Sequence, residues 1–210
     1  MLHGFAEALG YLGSALGVAM VVPQIVRTYR DRTLGGVSAS SWALTALSCF
    51  TWLLYGVRSA EVPQIPGNVL LVSGAVVVVL AVPSLRSVPF RAVSLGASGA
   101  VLAVVAFLVP VTAVGLIGFG IGLVAGLPQI VVSLSRRAGD SAVSLLTWSL
   151  RIACQLCWLV YAVLIGDHVV TVSASFLGVC AVVVLSAELV RRPAATPAPA
   201  ATSPVLIPAG

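Results

Sequence analysis

The chain has 210 residues, 60% hydrophobic and only 8% charged, with a mean hydropathy of +1.13. A soluble domain carries roughly a quarter charged residues, so this chain cannot cover a water-facing surface and must have lipid as its main solvent. The net charge of +5 comes from arginines in short gaps between apolar runs, a pattern that orients membrane proteins and excludes a soluble nucleic-acid-binding face.

A helix needs about 20 apolar residues to cross the hydrocarbon core. Seven stretches qualify: 6–28, 41–58, 66–83, 92–110, 113–134, 143–165 and 168–190. The first has no basic segment before it and is expected to be a retained helix rather than a cleaved signal. Between the fourth and fifth, Pro110 breaks an apolar run too long for one crossing. Beyond Arg192 the Pro/Ala-rich tail, 193–210, can bury little and is expected to be disordered and cytoplasmic.

Orientation follows from the arginines. With the N-terminus outside, Arg27, Arg30, Arg32, Arg86, Arg91, Arg136, Arg137, Arg191 and Arg192 all fall inside, and Arg58 alone falls in an outer segment. A multi-pass protein of the cell membrane is expected, N-terminus outside and C-terminus cytoplasmic. The absence of lysine and the wealth of Ala and Val fit a GC-rich bacterial genome, hence a bacterial plasma membrane.

An internal repeat organises these spans. A shift of 105 lays Gly13, Gly17, Pro23 and Gln24 on Gly118, Gly122, Pro128 and Gln129. After one inserted residue the shift becomes 106, and Ser38, Trp42, Trp52 and Tyr55 fall on Ser144, Trp148, Trp158 and Tyr161. Three spans leave a chain on the opposite side, so a fourth must intervene before the same unit can be repeated in parallel. The expected fold is therefore all-α, with seven transmembrane helices as two parallel three-helix bundles and a linker helix (3+1+3). Its boundaries are 1–86 for the first unit, 87–111 for the linker and 112–192 for the second unit.

Pro23 and Pro128 sit at matching points late in the first helix of each unit, where proline loosens the carbonyl four residues back. With Gln24 and Gln129 they are candidate hinges at an inner gate. A third Pro-Gln, Pro63 and Gln64, falls in an outer loop and is expected to be coincidental. Asn68 places an amide, both donor and acceptor, in an apolar span, and the flat face of Trp52 suits the C–H face of a sugar ring. The alternatives are an interfacial Trp and an Asn bonding a neighbouring helix. Arg151, eight residues into the sixth span, shares a helix face with Gln155 and Trp158. It either bonds loosened carbonyls near Pro128 or faces a cavity and attracts an anion. Cys49, Cys154, Cys157 and Cys180 read as packing residues, and Asp167 with His168 as an outer turn. No cofactor, metal site or catalytic constellation is expected, and an enzyme is not.

P-Q-I-V followed by a basic loop, then V-S, then W-L-L-Y-G at the end of the second helix, resembles the PQ-loop superfamily, and within it the SWEET and SemiSWEET sugar transporters. The resemblance spans about 6–192. It implies a central cavity binding a sugar between the two units, lined by Trp52 and by Asn68 sixteen residues later. In the second unit Trp158 matches, but Ala174 stands where Asn is expected, with Thr171 the nearest hydroxyl on that face. The implied function is transport of a small polar solute, a sugar first, by alternating access and facilitated diffusion. An amino-acid or organic-anion carrier and a membrane receptor or scaffold are the alternatives. A monomer suffices for such a cavity, and a homo-oligomer is compatible with it.

Overall fold

A chain in lipid must satisfy its backbone N–H and C=O groups within its own segments, which leaves apolar runs to form helices. The computed structural model describes residues 2–30, 39–81, 87–135 and 145–191, with side chains undescribed at 23–25, 27–30, 128–129, 132–133, 135 and 191. The described residues form seven helices: α1 (Leu2–Arg30), α2 (Ala39–Ser59), α3 (Gln64–Ala81), α4 (Val88–Leu108), α5 (Val111–Ser135), α6 (Leu145–Ile165) and α7 (His168–Arg191). The tail, 193–210, lies outside the described residues, as do the loop serines Ser38 and Ser144.

Five of the helices are each long and apolar enough to cross a membrane on their own. The other two, α2 with 21 residues and α5 with 25, are long enough at about 1.5 Å per residue. The polarity of α2 is absorbed by backbone carbonyls. Thr45 and Thr51 donate to Ser41 and Leu47 one turn back, and Ser48 donates to Gly118 of α5. Val101, Phe107, Leu108, Val163, Val179 and Val190 stand exposed on the outer faces, as in a multi-pass membrane protein.

Within each triplet the third helix lies between the other two. α3 packs on α1 and α2, and α7 on α5 and α6; among the described residues α1 makes no contact with α2, nor α5 with α6. The triplets meet through α1 against α6 and α2 against α5. Their cores repeat position by position. Trp42, Ala46, Ala75, Val78 and Val79 of the first correspond to Trp148, Ile152, Ala181, Val184 and Leu185 of the second, all at the same offset (148 − 42 = 106). The repeat thus extends through the third helices, where interchangeable apolar residues conceal it in the sequence.

The copies differ where their first and third helices touch. In the first, Ser14 sits against Gly67 and donates to the Pro63 carbonyl at 2.6 Å. In the second, Phe119 meets Phe176 edge-on with ring centres 5.7 Å apart. Two rings hold helices farther apart than a serine on a glycine, and α5 accordingly packs less extensively on α7 than α1 does on α3.

The linker α4 rests mainly on α2. Ser87 caps its N-terminus, accepting from the Phe90 N–H at 3.4 Å, with Pro89 in the first turn. At its other end the Arg58 guanidinium, in the last turn of α2, donates to the carbonyls of Ala106 and Val109 (2.7 Å to the latter). These belong to the last turn of α4, whose carbonyls have no helical partner. Arg58 thereby fastens the linker to the first triplet. Arg58→Met should lower stability in thermal or denaturant melts in detergent by about 1.5–3 kcal/mol, the range for hydrogen bonds to a charged group; a loss below about 0.5 kcal/mol would assign the fastening to apolar contacts instead.

Candidate functional site

Both seams between the triplets are built on the same pattern. Gly13 of α1 faces the Trp158 indole of α6, and Gly118 of α5 faces Trp52 of α2. A β-carbon on Gly13 would stand 3.0 Å from Trp158 Nε1, and one on Gly118 3.4 Å from Trp52 Cδ1. At Gly13 a side chain would press on the indole, whereas at Gly118 a β-carbon would make ordinary contact with Trp52 and with Thr51, which lies equally near. One turn along, Ser48 Oγ donates to the Gly118 carbonyl at 2.8 Å and Cys154 Sγ to the Gly13 carbonyl at 3.3 Å. Ser48 and Cys154 are themselves repeat partners. Cys154, expected only to fill space, takes the serine's bonding role.

At the end of the bundle carrying the α2–α3 and α6–α7 turns, the pattern becomes polar. Tyr55 of α2 donates through its hydroxyl to both carboxylate oxygens of Asp167, at 2.9 Å each. Tyr161 of α6 donates to Glu61 Oε2. Each bond joins one triplet's second helix to the other triplet's turn, and Glu61 and Asp167 lie at the same offset of 106 as the tyrosines. Asp167 also accepts the Val170 N–H at 3.0 Å, so its carboxylate is held in place by the start of α7. Each tyrosine stands edge-on to the tryptophan three residues earlier, with centroids 5.5 Å apart in both copies. Tyr55, Val114, Ala162, Val169 and Val170 seal the same end with an apolar cluster against which both tryptophans pack.

The expected solute-binding residues are placed unevenly around these seams. Trp52 and Trp158 flank them symmetrically. Asn68, half-buried on α3, donates through Nδ2 to the Gln64 carbonyl at 2.8 Å, and among the described residues its amide oxygen receives no donor. One turn towards the clasped end, the Gln64 side chain is buried, and its Nε2 has no hydrogen-bond partner among the described residues. The Pro63–Gln64 pair is therefore no idle loop element: Pro63 packs against Gly10 and accepts from Ser14, while Gln64 turns inward. In the second triplet the positions equivalent to Gln64 and Asn68 are Val170 and Ala174, both buried. Thr171, like Asn68, bonds the carbonyl one turn back: its hydroxyl donates to the Asp167 carbonyl at 2.6 Å. Gln155 lies with its β-carbon against Gly178 of α7, whereas Trp158 faces α1, so the two serve different contacts.

Arg151 lays its guanidinium over the Trp148 ring, 5.2 Å from the centroid. Its Nε is buried and has no hydrogen-bond partner among the described residues. The helical backbones of α1 and α5 run on through Pro23 and Pro128, while the side chains of Pro23, Gln24, Pro128 and Gln129 lie outside the described ones.

Residues 5–65 match the family model of the PQ loop repeat. No curated protein matches the chain. Among solved structures it is similar to a eukaryotic SWEET transporter, with a TM-score of 0.71 and 10% identity over 89% of this chain and 98% of that one. The chain has the fold of that SWEET transporter, and its residues 5–65 carry a PQ loop repeat. The 3+1+3 arrangement of helices belongs to that fold, and α4 fills the linker place in it. At 10% identity the likeness extends to the backbone arrangement and says nothing of individual side chains.

The two tyrosine–carboxylate clasps are what the sequence reading missed. The signal was present, since the offset that pairs Tyr55 with Tyr161 also pairs Glu61 with Asp167. If the clasps hold this end shut, removing both should open it. In a protein whose Cys49, Cys157 and Cys180 are replaced by serine, the buried Cys154 reports on the α1–α6 seam. With Tyr55→Phe and Tyr161→Phe together, labelling of Cys154 by an impermeant maleimide should rise roughly a hundredfold, as two charge-assisted bonds worth about 3 kcal/mol in all would predict. Unchanged labelling would mean that the apolar cluster closes the seam by itself.

Proposed function

We propose that this chain is a membrane transporter that moves a small polar solute, a sugar before others, by alternating access. The observation that carries the proposal is the doubled set of contacts between the triplets. Two glycine–tryptophan approaches and two tyrosine–carboxylate bonds all break together if one triplet tilts against the other. Each triplet is held together internally by its own tryptophan-centred core, so tilting as two bodies is the least costly motion. The clasped end is the outer one on the arginine count, and Pro23 and Pro128 serve as hinges towards the inner end.

A polar solute is supported by the buried Gln64, whose Nε2 has no partner among the described residues, and by the half-buried Asn68 one turn on, since such groups in an apolar surrounding are costly unless a ligand pairs with them. Trp52 and Trp158, one on each seam, would offer flat apolar faces to the same solute. Hydrogen bonding comes from the first triplet, whereas Ala174 and Val170 make the second triplet's share apolar. This one-sidedness suits a ring with a hydroxyl edge and a C–H face. The protein acts as a carrier without a cofactor, and facilitated diffusion is the simplest mechanism because no carboxylate among the described residues hydrogen-bonds to Asn68. One chain encloses the path, so a monomer suffices.

Counterflow of radiolabelled sugars and amino acids in proteoliposomes tests this. Sugar counterflow is expected, equal with and without a pH gradient, and about tenfold slower in Asn68→Leu, the factor one lost hydrogen bond to a bound solute gives. Binding without counterflow would make the protein a receptor or scaffold, and strict dependence on the gradient would make it a proton symporter.

Arg151 favours a second solute class, amino acids or organic anions. A half-buried cation that lies over an aromatic face, its Nε without a partner among the described residues, would attract a carboxylate passing along α6. Arg151→Gln separates the two classes. Sugar counterflow should persist in that variant, while carboxylate counterflow, where present, should fall by about tenfold or more.

A further inference from the structure

The linker helix leaves two adjoining clefts on the first triplet, neither belonging to the seams. The first, of about 130 Å³, lies between the starts of α2 and α4 and the end of α3, opposite the clasped end. Its lining includes Ser40, Ser94, Ser98 and Arg91. Arg91 is 8% exposed and donates to the Val79 carbonyl, so its cation is fixed at the cleft wall rather than free to swing into solvent. The second cleft, of about 290 Å³, continues deeper between the same helices and shares Leu47 and Leu95 with the first. Its wall is apolar throughout, with Phe50, Val72, Val76, Leu80, Gly96 and Gly99 among the lining residues.

A polar, cationic mouth that leads into an apolar trough is the outline of an amphiphile. The two clefts together reach from Ser40 to Phe50, ten residues of α2 or about 15 Å, which is half of the roughly 30 Å hydrocarbon core. The mouth then lies at the headgroup level of one leaflet and the trough opens into the acyl region of that leaflet. The first turn of α4, capped by Ser87, adds the positive end of a helix dipole near the mouth. The geometry points to a site for one anionic phospholipid, its phosphate held by Arg91 and the serines and one acyl chain in the trough. Occupancy would join α2, α3 and α4, and so brace the linker at the end where Arg58 does not reach.

Gly96 makes the site testable, because a β-carbon there meets nothing within 4 Å, so a larger side chain can enter the trough without displacing the helices. The full chain would be released from nanodiscs holding equal parts phosphatidylglycerol and phosphatidylcholine and examined by native mass spectrometry. Retention of one phosphatidylglycerol is expected, about fivefold preferred over phosphatidylcholine, the factor one arginine at a membrane surface provides. Gly96→Phe should lose the retained lipid while keeping the melting temperature measured in detergent alone. Arg91→Gln should retain both lipids equally, and if that variant does not fold, Gly96→Phe still decides. Equal retention of the two lipids by the unaltered chain, or full retention in Gly96→Phe, overturns the proposal. So does an equal rise in melting temperature with inorganic phosphate alone, which would mark a free-anion site. An oligomer that Gly96→Phe dissolves would give the trough to a second copy of the chain and overturn it as well.

Discussion

The architecture depends on how closely two helix backbones can approach where the triplets meet. In lipid there is no hydrophobic gain in bringing helices together, so association rests on packing and on hydrogen bonds. Gly13 and Gly118 provide the packing by admitting an indole to within contact of the main chain. That approach brings Cys154 and Ser48 into reach of the opposing carbonyls. It also aligns Tyr161 and Tyr55, one to two turns further along, with Glu61 and Asp167.

Duplication gave the frame, and divergence gave the polarity. Cores, seams and clasps recur, at an offset of 105 in the first helices and 106 beyond them, yet the amides of Gln64 and Asn68 do not. Gln64 and Asn68 face Val170 and Ala174 across the pseudo-symmetry, Thr45 faces Arg151, and Ser14 faces Phe119. A symmetric frame needs only matching shapes, so it tolerates any side chain of the right volume. A solute with unlike edges is better matched by two unlike walls. The linker adds a further inequality, since α4 lies on α2 of the first triplet and only its end approaches α5.

Much of this was legible in order of how rare the residues are. Four tryptophans recurring at an offset of 106 and two Pro-Gln pairs at 105 exposed the repeat, and the topological need for an odd linker followed without coordinates. Valines and alanines that fill α3 and α7 repeat just as faithfully, but they match any apolar helix, so their pairing showed only in the buried cores. Glu61 and Asp167 were hidden for another reason. They sit in short turns beside ordinary turn residues, and their partners are 100 and 112 positions away in the other triplet. Pro63 and Gln64 look like loop residues for the same reason, though Ser14 and Gly10 enclose them. Thr171 and Gln155 are placed on their faces by helical periodicity, but the carbonyl that Thr171 bonds and the α7 glycine beside Gln155 show only in the structure.

The sequence alone determined what depends on composition and period: a lipid solvent, seven crossings, two parallel units and the helix between them. These follow from apolar length and charge, quantities that a linear chain carries openly. Which side chains meet across the seams was decided only by the tertiary structure, because a contact between distant helices depends on their relative rotation and separation. A rotation of one residue's worth, about 100° on a helix, would turn Tyr55 from Asp167 to lipid with no change in composition or periodicity.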